Sequence, residues 1–356
     1  MDKVKLSDVC ECKSSNLKQS DIENSTGEFP VYGASGYIKD VDFYEQEKEC
    51  LAIVKDGAGV GRIFIVPAKS SILGTMQYLI SKSNILVKYL YYCLRNLNFQ
   101  KYKTGATIPH IYFKSYCNEK VTMYDIPVQQ KIVEELDCLS NIIEKKKKQL
   151  SDFDELIKSK FVEMFGHYNK KELRDFVTFF SGYAFKSRLF QDHGIPIIRI
   201  SNIQNGEIDL NVVYYPESEV AGLEKYKLQF NDILIAMSGA TTGKVGLFKE
   251  KHNFLLNQRV GCIRPITEKA TSCFLFAFLN SEMIQTEILK VSTGCAQPNI
   301  SGTQILSIQI PDVPLNEQIA FNDFVQLVDE SKDKVRQSLE ETQNLFNERM
   351  QHYFGE

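Results

Sequence analysis

The residues that come nearest to chemistry lie in one glycine-rich segment, Ser238-Gly-Ala-Thr-Thr-Gly-Lys-Val245. A phosphate-binding loop needs glycine where Ser238 stands and a Mg²⁺-coordinating hydroxyl where Val245 stands, so the segment fails that test twice. A second segment, Asp56-Gly-Ala-Gly-Val-Gly-Arg-Ile63, is built alike and comes no closer. Both read as turns between two strands, where small residues bring Arg62 and Lys244 near a phosphate backbone. The five histidines, His110, His167, His193, His252 and His352, are scattered and form no HExxH, Ser/His/Asp or Cys/His pattern. A metal-dependent nuclease needs clustered carboxylates, and Asp56 is replaced by Ser238 in the second segment. Neither an Asn/Asp-Pro-Pro-Tyr/Phe stretch nor a glycine-rich methyl-donor loop is present. Cys10-x-Cys12 lacks the second pair that zinc requires. No catalytic residue, metal site or cofactor of its own is assigned to this chain.

What the turns offer instead is recognition chemistry. Tyr32 and Ser35 interrupt Pro30-Val-Tyr-Gly-Ala-Ser-Gly36, and Arg199, Ser201 and Asn202 lie in one short run. Gln258, Arg259, Gln297 and Asn299 supply amides and a guanidinium, groups that pair with purine edges in the major groove. His110 follows Pro109 and has Asn299 as its counterpart, which suits a base-reading or turn role in both. Lys55, Arg62, Thr104 and Lys186 join this candidate contact set, as do Ser238, Thr241, Thr242 and Lys244. For any one of them an ordinary loop role is the competing reading. Lys145 to Lys148 form a charge run, read as a solvated helix face or a contact to phosphate or an acidic partner.

Composition bounds the class. The chain has 356 residues, 43% hydrophobic and 24% charged, enough for two ordinary domains and connecting helices. Its apolar runs are too short to span a bilayer, and no apolar core follows Met1-Asp2-Lys3 to make a signal peptide. Nine cysteines, scattered and odd in number, suit reduced thiols in a cytoplasmic protein. The net charge of −3 comes from residues 313–356, which carry 4 basic and 9 acidic groups. Charge therefore neither demands nor excludes a nucleic-acid partner.

The elements that must position these residues occur twice. Leu51–Ile63 matches Ile233–Val245 without a gap, and Phe29-Pro-Val31 matches Ile195-Pro-Ile197. Tyr89–Leu94 pairs with Phe274–Leu279, and Thr104-Gly105 and Pro109 recur as Thr293-Gly294 and Pro298. The second copy has its largest insertion between Asn202 and Glu224. Strands are expected at Leu51–Val54, Ile63–Val66, Ile197–Ile200, Val212–Tyr215, Ile233–Ala236 and Val245–Phe248. Leu86–Leu97 and Ser272–Leu289 have helical character.

Each copy ends in a long helix, Pro127–Gly166 and Pro314–Gly355, opened by a proline and closed on Phe-Gly. Apolar residues recur by threes and fours: Leu136, Leu139, Ile143, Leu150, Phe153 and Ile157 in the first, with Val325, Val328, Val335, Leu339 and Phe346 in the second. Lys146, Lys160, Lys332 and Arg349 interrupt the seam. About 38 helical residues span roughly 57 Å, so the seams are expected to pair with each other, antiparallel if a two-fold relates the copies. Packing of each helix on its own domain is the alternative.

Globular unit, long helix, globular unit, long helix, with Phe29-Pro-Val-Tyr-Gly-Ala-Ser-Gly36, Ser238–Val245, Leu256-Asn-Gln-Arg-Val260, Thr293-Gly294…Pro298-Asn299 and Glu163-Met-Phe-Gly166: this order resembles the DNA specificity subunit of type I restriction–modification systems over essentially the whole chain. The resemblance implies an α+β fold, with two pseudo-repeated α/β target-recognition domains (1–126 and 169–313) joined by two long helices (127–168 and 314–356) as an antiparallel coiled coil. It implies a non-catalytic subunit that recognises a bipartite site on double-stranded DNA, the helices fixing the unread gap. Two methyltransferase subunits and restriction/translocase subunits are the implied partners, carrying S-adenosylmethionine, ATP and Mg. Little sequence precedes the first domain, so the helical material follows the domains. The alternative is a coiled-coil interaction scaffold with no specific DNA readout.

Overall fold

The structure is a computed structural model that describes residues 2–105, 107–204, 206–292 and 298–355. It divides into two compact units, Met1–Lys147 with Arg336–Glu356, and Lys148–Val335. Each holds one globular part and half of each long helix.

In the first unit a four-stranded sheet runs in the order Cys10–Ser14, Met76–Ser81, Cys50–Val54, Ile63–Val66, all neighbours antiparallel. Cys50–Val54 is buried at every residue, as its unbroken apolar sequence requires of a strand covered on both faces. A hairpin of Phe29–Gly33 and Gly36–Val41 stands beside it, with Ser71–Ile72 parallel to Phe29–Gly33. Asp2–Lys5 pairs with Lys120–Met123. Helix Val87–Arg95 presses Tyr89, Leu90, Cys93 and Leu94 onto the sheet, one stripe at helical spacing.

The second unit repeats all three sheets. Its four strands are Val177–Ser181, Val260–Pro265, Ile233–Ala236 and Val245–Leu247; its arm is Val213–Tyr215, Ile195–Ile198, Leu255–Leu256; its pair is Lys170–Glu172 with Gln309–Pro311. Two expectations need correction. The insertion does not extend to Glu224, because Val213–Tyr215 has a counterpart in Gly36–Val41: both pair antiparallel with the preceding arm strand. What is added lies before Val213 and contains a small hairpin, Ile203–Gln204 with Glu207–Ile208. The helix expected over Ser272–Leu289 is two helices, Ser272–Leu279 and Glu282–Ser292, with Asn280 and Ser281 between them.

The small hairpin lies along Val245–Leu247 through a bridge between Gly206 and Gly246. A Cβ at Gly246 would meet Ile208 Cδ1 at 2.4 Å and the Glu207 carbonyl at 2.9 Å, so glycine is required there. The matching strand of the first unit carries Phe64, and beside it an open cavity of about 310 Å³ is lined by Arg62, Phe64, Tyr91, Arg95 and Phe99.

The long helices are Ile126–Phe165 and Leu315–Phe354. They run antiparallel in both units. In the first, Glu135 meets Arg349 and Tyr353, while Lys146 donates to the Ser338 carbonyl and the Ser338 and Thr342 hydroxyls at 2.6–2.8 Å. In the second, Asp154 pairs with Lys332 at 2.6 Å and Tyr168 bonds Glu317. Ile132, Leu136, Ile143, Phe321, Val328 and Phe346 are buried, and Leu139, Leu150, Phe153, Ile157, Val325, Val335 and Leu339 half-buried, as the heptad predicts. Of the seam cations, Lys146, Lys332 and Arg349 bond the facing helix, and Lys160 bonds Glu163 on its own. Pairing and domain packing are not alternatives. Phe161, Phe165 and Phe321 enter the second unit's core around Phe274, and Ile132, Leu136, Phe346 and Met350 enter the first unit's core around Tyr89.

A glutamine fixes where each helix starts. Gln129, fully buried, donates to the carbonyls of Asn84 and Tyr124 and accepts from the Leu86 N–H. Gln318, fully buried, donates to the carbonyls of Lys269 and Val313 and accepts from the Thr271 N–H. Leu86 and Thr271 precede Val87–Arg95 and Ser272–Leu279, so one amide ties two helix starts together. Burial raises the thiols of Cys10 and Cys50 to about 12 and that of Cys12 to about 11, and the described cysteines are free.

Gln129→Leu strands three backbone groups in a buried site and is expected to cost about 3 kcal/mol. Urea unfolding should show this loss, while Leu at the exposed neighbour Gln130 should change stability by under about 0.5 kcal/mol.

Candidate nucleic-acid interface

The glycine-rich turns join Cys50–Val54 to Ile63–Val66 and Ile233–Ala236 to Val245–Leu247, and they are the same structure bond for bond. The Val54 N–H donates to the Arg62 carbonyl and the Gly61 N–H to Val54; the Ala236 N–H donates to Lys244 and the Gly243 N–H to Ala236, all at 2.8–2.9 Å. Gly57 and Gly61, like Gly239 and Gly243, have φ between +81° and +91°, a region where a side chain is strained. The N–H groups of Gly57, Val60, Gly61 and Arg62 all go to protein carbonyls. These four are thereby spent on the turn itself and do not serve a phosphate as the amides of a phosphate-binding loop do.

Two further segments converge on each turn. The first follows a conserved arrangement within the chain itself: Gly57 N–H donates to the Pro109 carbonyl at 2.9 Å, and Gly239 N–H to the Pro298 carbonyl at 3.1 Å. Bridges then set Asp56 against His110 and Ser238 against Asn299. Thr104 is exposed and pairs through its backbone with His110. The second segment is the tip of the arm. Arg62 Nη1 reaches the Ala34 carbonyl at 3.5 Å beside exposed Ser35, and Thr241 Oγ1 reaches the Ile200 carbonyl at 3.4 Å beside exposed Ser201. Three motifs far apart in sequence therefore meet at one place in each unit.

Their side chains sort by exposure. Arg62, Gln258, Arg259 and Asn299 are exposed, and Lys55, Lys244, Arg199, Ser238 and Thr241 half-buried. Arg199 lies over the Phe190 ring at 5.8 Å. Two expectations are corrected by burial. Asn202 is 2% exposed and its side chain is spent on the Arg199 N–H and the carbonyls of Asp209 and Asn211, so it shapes the loop from inside. Thr242 is buried and its hydroxyl serves the Gly239 and Pro298 carbonyls. Tyr32 is half-buried against Tyr37, and Lys186 is exposed on the arm beside the Phe185 cluster. Gln297 lies outside the described residues.

Thr75 and Tyr183 also lie at these turns. The Thr75 carbonyl accepts from Lys55 as the Arg259 carbonyl does from Met237, and Tyr183, exposed, pairs with Asn257 beside Gln258. Neither lies in a motif that repeats in residue type, so no sequence signal marks it. Among the described residues no group of three or more His, Cys, Asp and Glu could hold a metal ion, and no helix is long and apolar enough to cross a membrane.

Residues 1–151 and 166–341 match the family model of the type I restriction modification DNA specificity domain. The chain belongs to that family. It is 28% identical over 321 residues to the type I restriction enzyme MjaVIII specificity subunit of Methanocaldococcus jannaschii, covering 82% of this chain and 75% of the relative. To the EcoKI specificity subunit of Escherichia coli it is 35% identical over 135 residues, 36% of this chain and 28% of the relative. The fold is shared with the type I system S subunit from M. genitalium, at a TM-score of 0.61 and 15% identity, across 100% of this chain and 96% of that one.

Arg62 and Lys244 are cations on rigid turns with no carboxylate partner among the described residues. Arg62→Ala and Lys244→Ala should each weaken DNA binding about equally on all sequences and lower the salt dependence by about one phosphate contact. Titrating salt against affinity for the full chain with its methyltransferase partner checks this.

Proposed function

We propose that this chain is the DNA-reading subunit of a type I restriction–modification complex, with residues 1–126 and 169–313 each recognising one half of a bipartite site. The observation that carries this reading is the duplicated site. Two units of one chain carry the same glycine-rich turn, held by the same bonds, but with different side chains around it: Asp56 and His110 in one, Ser238 and Asn299 in the other. A protein reading two unlike half-sites needs that combination of a common scaffold and divergent contacts. Exposed Arg62, Arg259 and Asn299 supply the donor types that phosphates and purine edges accept.

Catalysis belongs to partner subunits in this family. Two methyltransferase subunits using S-adenosylmethionine, and ATP- and Mg-dependent restriction/translocase subunits, complete the complex in this reading. The paired helices act as the spacer. Because each unit grips the start of one helix through Gln129 or Gln318 and the end of the other through Phe354 or Phe165, the spacer must lengthen in both helices together.

Modified-base sequencing of DNA from cells carrying the chain and its methyltransferase partner is expected to show adenine methylation at a two-part motif. Methylation without any bipartite motif would sink the proposal and favour an interaction scaffold. Matched seven-residue insertions after Lys147 and after Val335 add about 10 Å of helix each. They should widen the unread gap by about three base pairs, at 3.4 Å per pair, with both half-sites unchanged.

A further inference from the structure

We propose that the side-chain pair Asp56–His110 in the first unit, and its equivalent Ser238–Asn299 in the second, sets which base each half-site demands at one position. This rests on the reading of the two units as DNA readers and names the residues that make them differ. At this point of the fold the backbones coincide. Asp56 and Ser238 precede the equivalent glycines Gly57 and Gly239, and each forms a β-bridge to the residue after the proline whose carbonyl accepts from that glycine. The flanking bonds repeat as well, Ile111 N–H to the Lys55 carbonyl and Ile300 N–H to the Met237 carbonyl, both at 2.9 Å. With the backbone of this bridge held constant, what differs across it is the pair of side chains.

Their chemistry differs in a way a base edge can sense. In the first unit His110 Nδ1 lies 2.9 Å from Asp56 Oδ1. An ionised carboxylate only accepts, so Nδ1 carries the proton, and in the neutral ring Nε2 is left as an acceptor. Nε2 makes no hydrogen bond among the described residues, and the imidazole is 34% exposed. The carboxylate thus orients the ring and leaves Nε2 as its remaining polar atom, which as an acceptor suits an exocyclic amine of adenine or cytosine. The second unit offers an exposed amide at Asn299, with one acceptor and two donors, suited to the adenine edge. Beside it the Ser238 hydroxyl is buried with no hydrogen-bond partner among the described residues. A buried hydroxyl left unpaired in the free protein gains a bond when a ligand atom arrives. Asp56 is thereby a positioning residue, and His110 and Asn299 are the residues that touch the base.

The test exchanges the pairs in the full chain, with its methyltransferase partner, and reads the motif by modified-base sequencing. The Asp56→Ser/His110→Asn double variant should change the first half-site at one position, shifting discrimination there roughly ten- to hundredfold, with the second half-site and the gap unchanged. Ser238→Asp/Asn299→His should do the reverse. Asp56→Asn, whose amide oxygen still accepts from Nδ1–H, should keep the wild-type motif, whereas Asp56→Ala should relax it at that one position. Wild-type half-sites in both exchanged variants, at unaltered rates, overturn the proposal. If one exchange abolishes folding, seen as loss of the cooperative thermal transition, the reciprocal exchange decides it alone. Absence of a bipartite motif in the wild type defeats the underlying reading instead, so the two failures are distinguishable.

Discussion

A buried glutamine with three hydrogen bonds to backbone determines how each globular part meets its long helix. Gln129 and Gln318 are fully buried, and each ties the first turn of a long helix to the start of the domain helix and to the connection before it. An amide offers two donors and two acceptor sites on a rigid plane, so it fixes orientation as an apolar contact cannot. Aromatic packing then adds affinity without direction: Phe165 against Phe274 and Phe321 in one unit, Phe354 against Tyr89 in the other. The seam residues carry that orientation along the helices, and Lys146 and Lys332 reach across to the facing helix.

Much of this was legible in the chain because duplication reveals what single motifs hide. The turn at Leu51–Ile63 and its copy could be aligned residue by residue, and the heptads placed Leu136, Ile143, Val328 and Phe346 at their interior positions. The strands with alternating or polar sequence were not read, among them Cys10–Ser14 and Val177–Ser181. They owe their state to pairing with Met76–Ser81 and Val260–Pro265, a long-range contact that local propensity does not encode. Gln129 and Gln318 escaped notice for a related reason. A polar residue in an amphipathic helix reads as a solvent face until the carbonyls that surround it are known.

The site shows the same division. That the glycine-rich turn, the arm tip and the Pro109 or Pro298 segment belong together is invisible at their sequence separations, 54 residues from Asp56 to His110 and 61 from Ser238 to Asn299, although the turn and the proline segment each recur in the second copy. Burial overruled residue type at Asn202 and Thr242, whose polar groups serve the loop's own backbone. The units also diverge beside the turn. The inserted hairpin covers one edge strand through Gly246, while Phe64 and an open cavity occupy the corresponding place.

The discontinuity of the first unit gives the chain an order of assembly. Residues 148–335 are contiguous and supply every element of their own unit, so that unit can close as soon as it has been synthesised. The other unit needs Phe346, Met350 and Phe354 to complete the core around Tyr89. Those residues are synthesised only after the whole of 148–335. The earlier of the two units is therefore the later to be finished, and its apolar surface around Tyr89 and Tyr92 stays open until Leu315–Phe354 arrives to cover it.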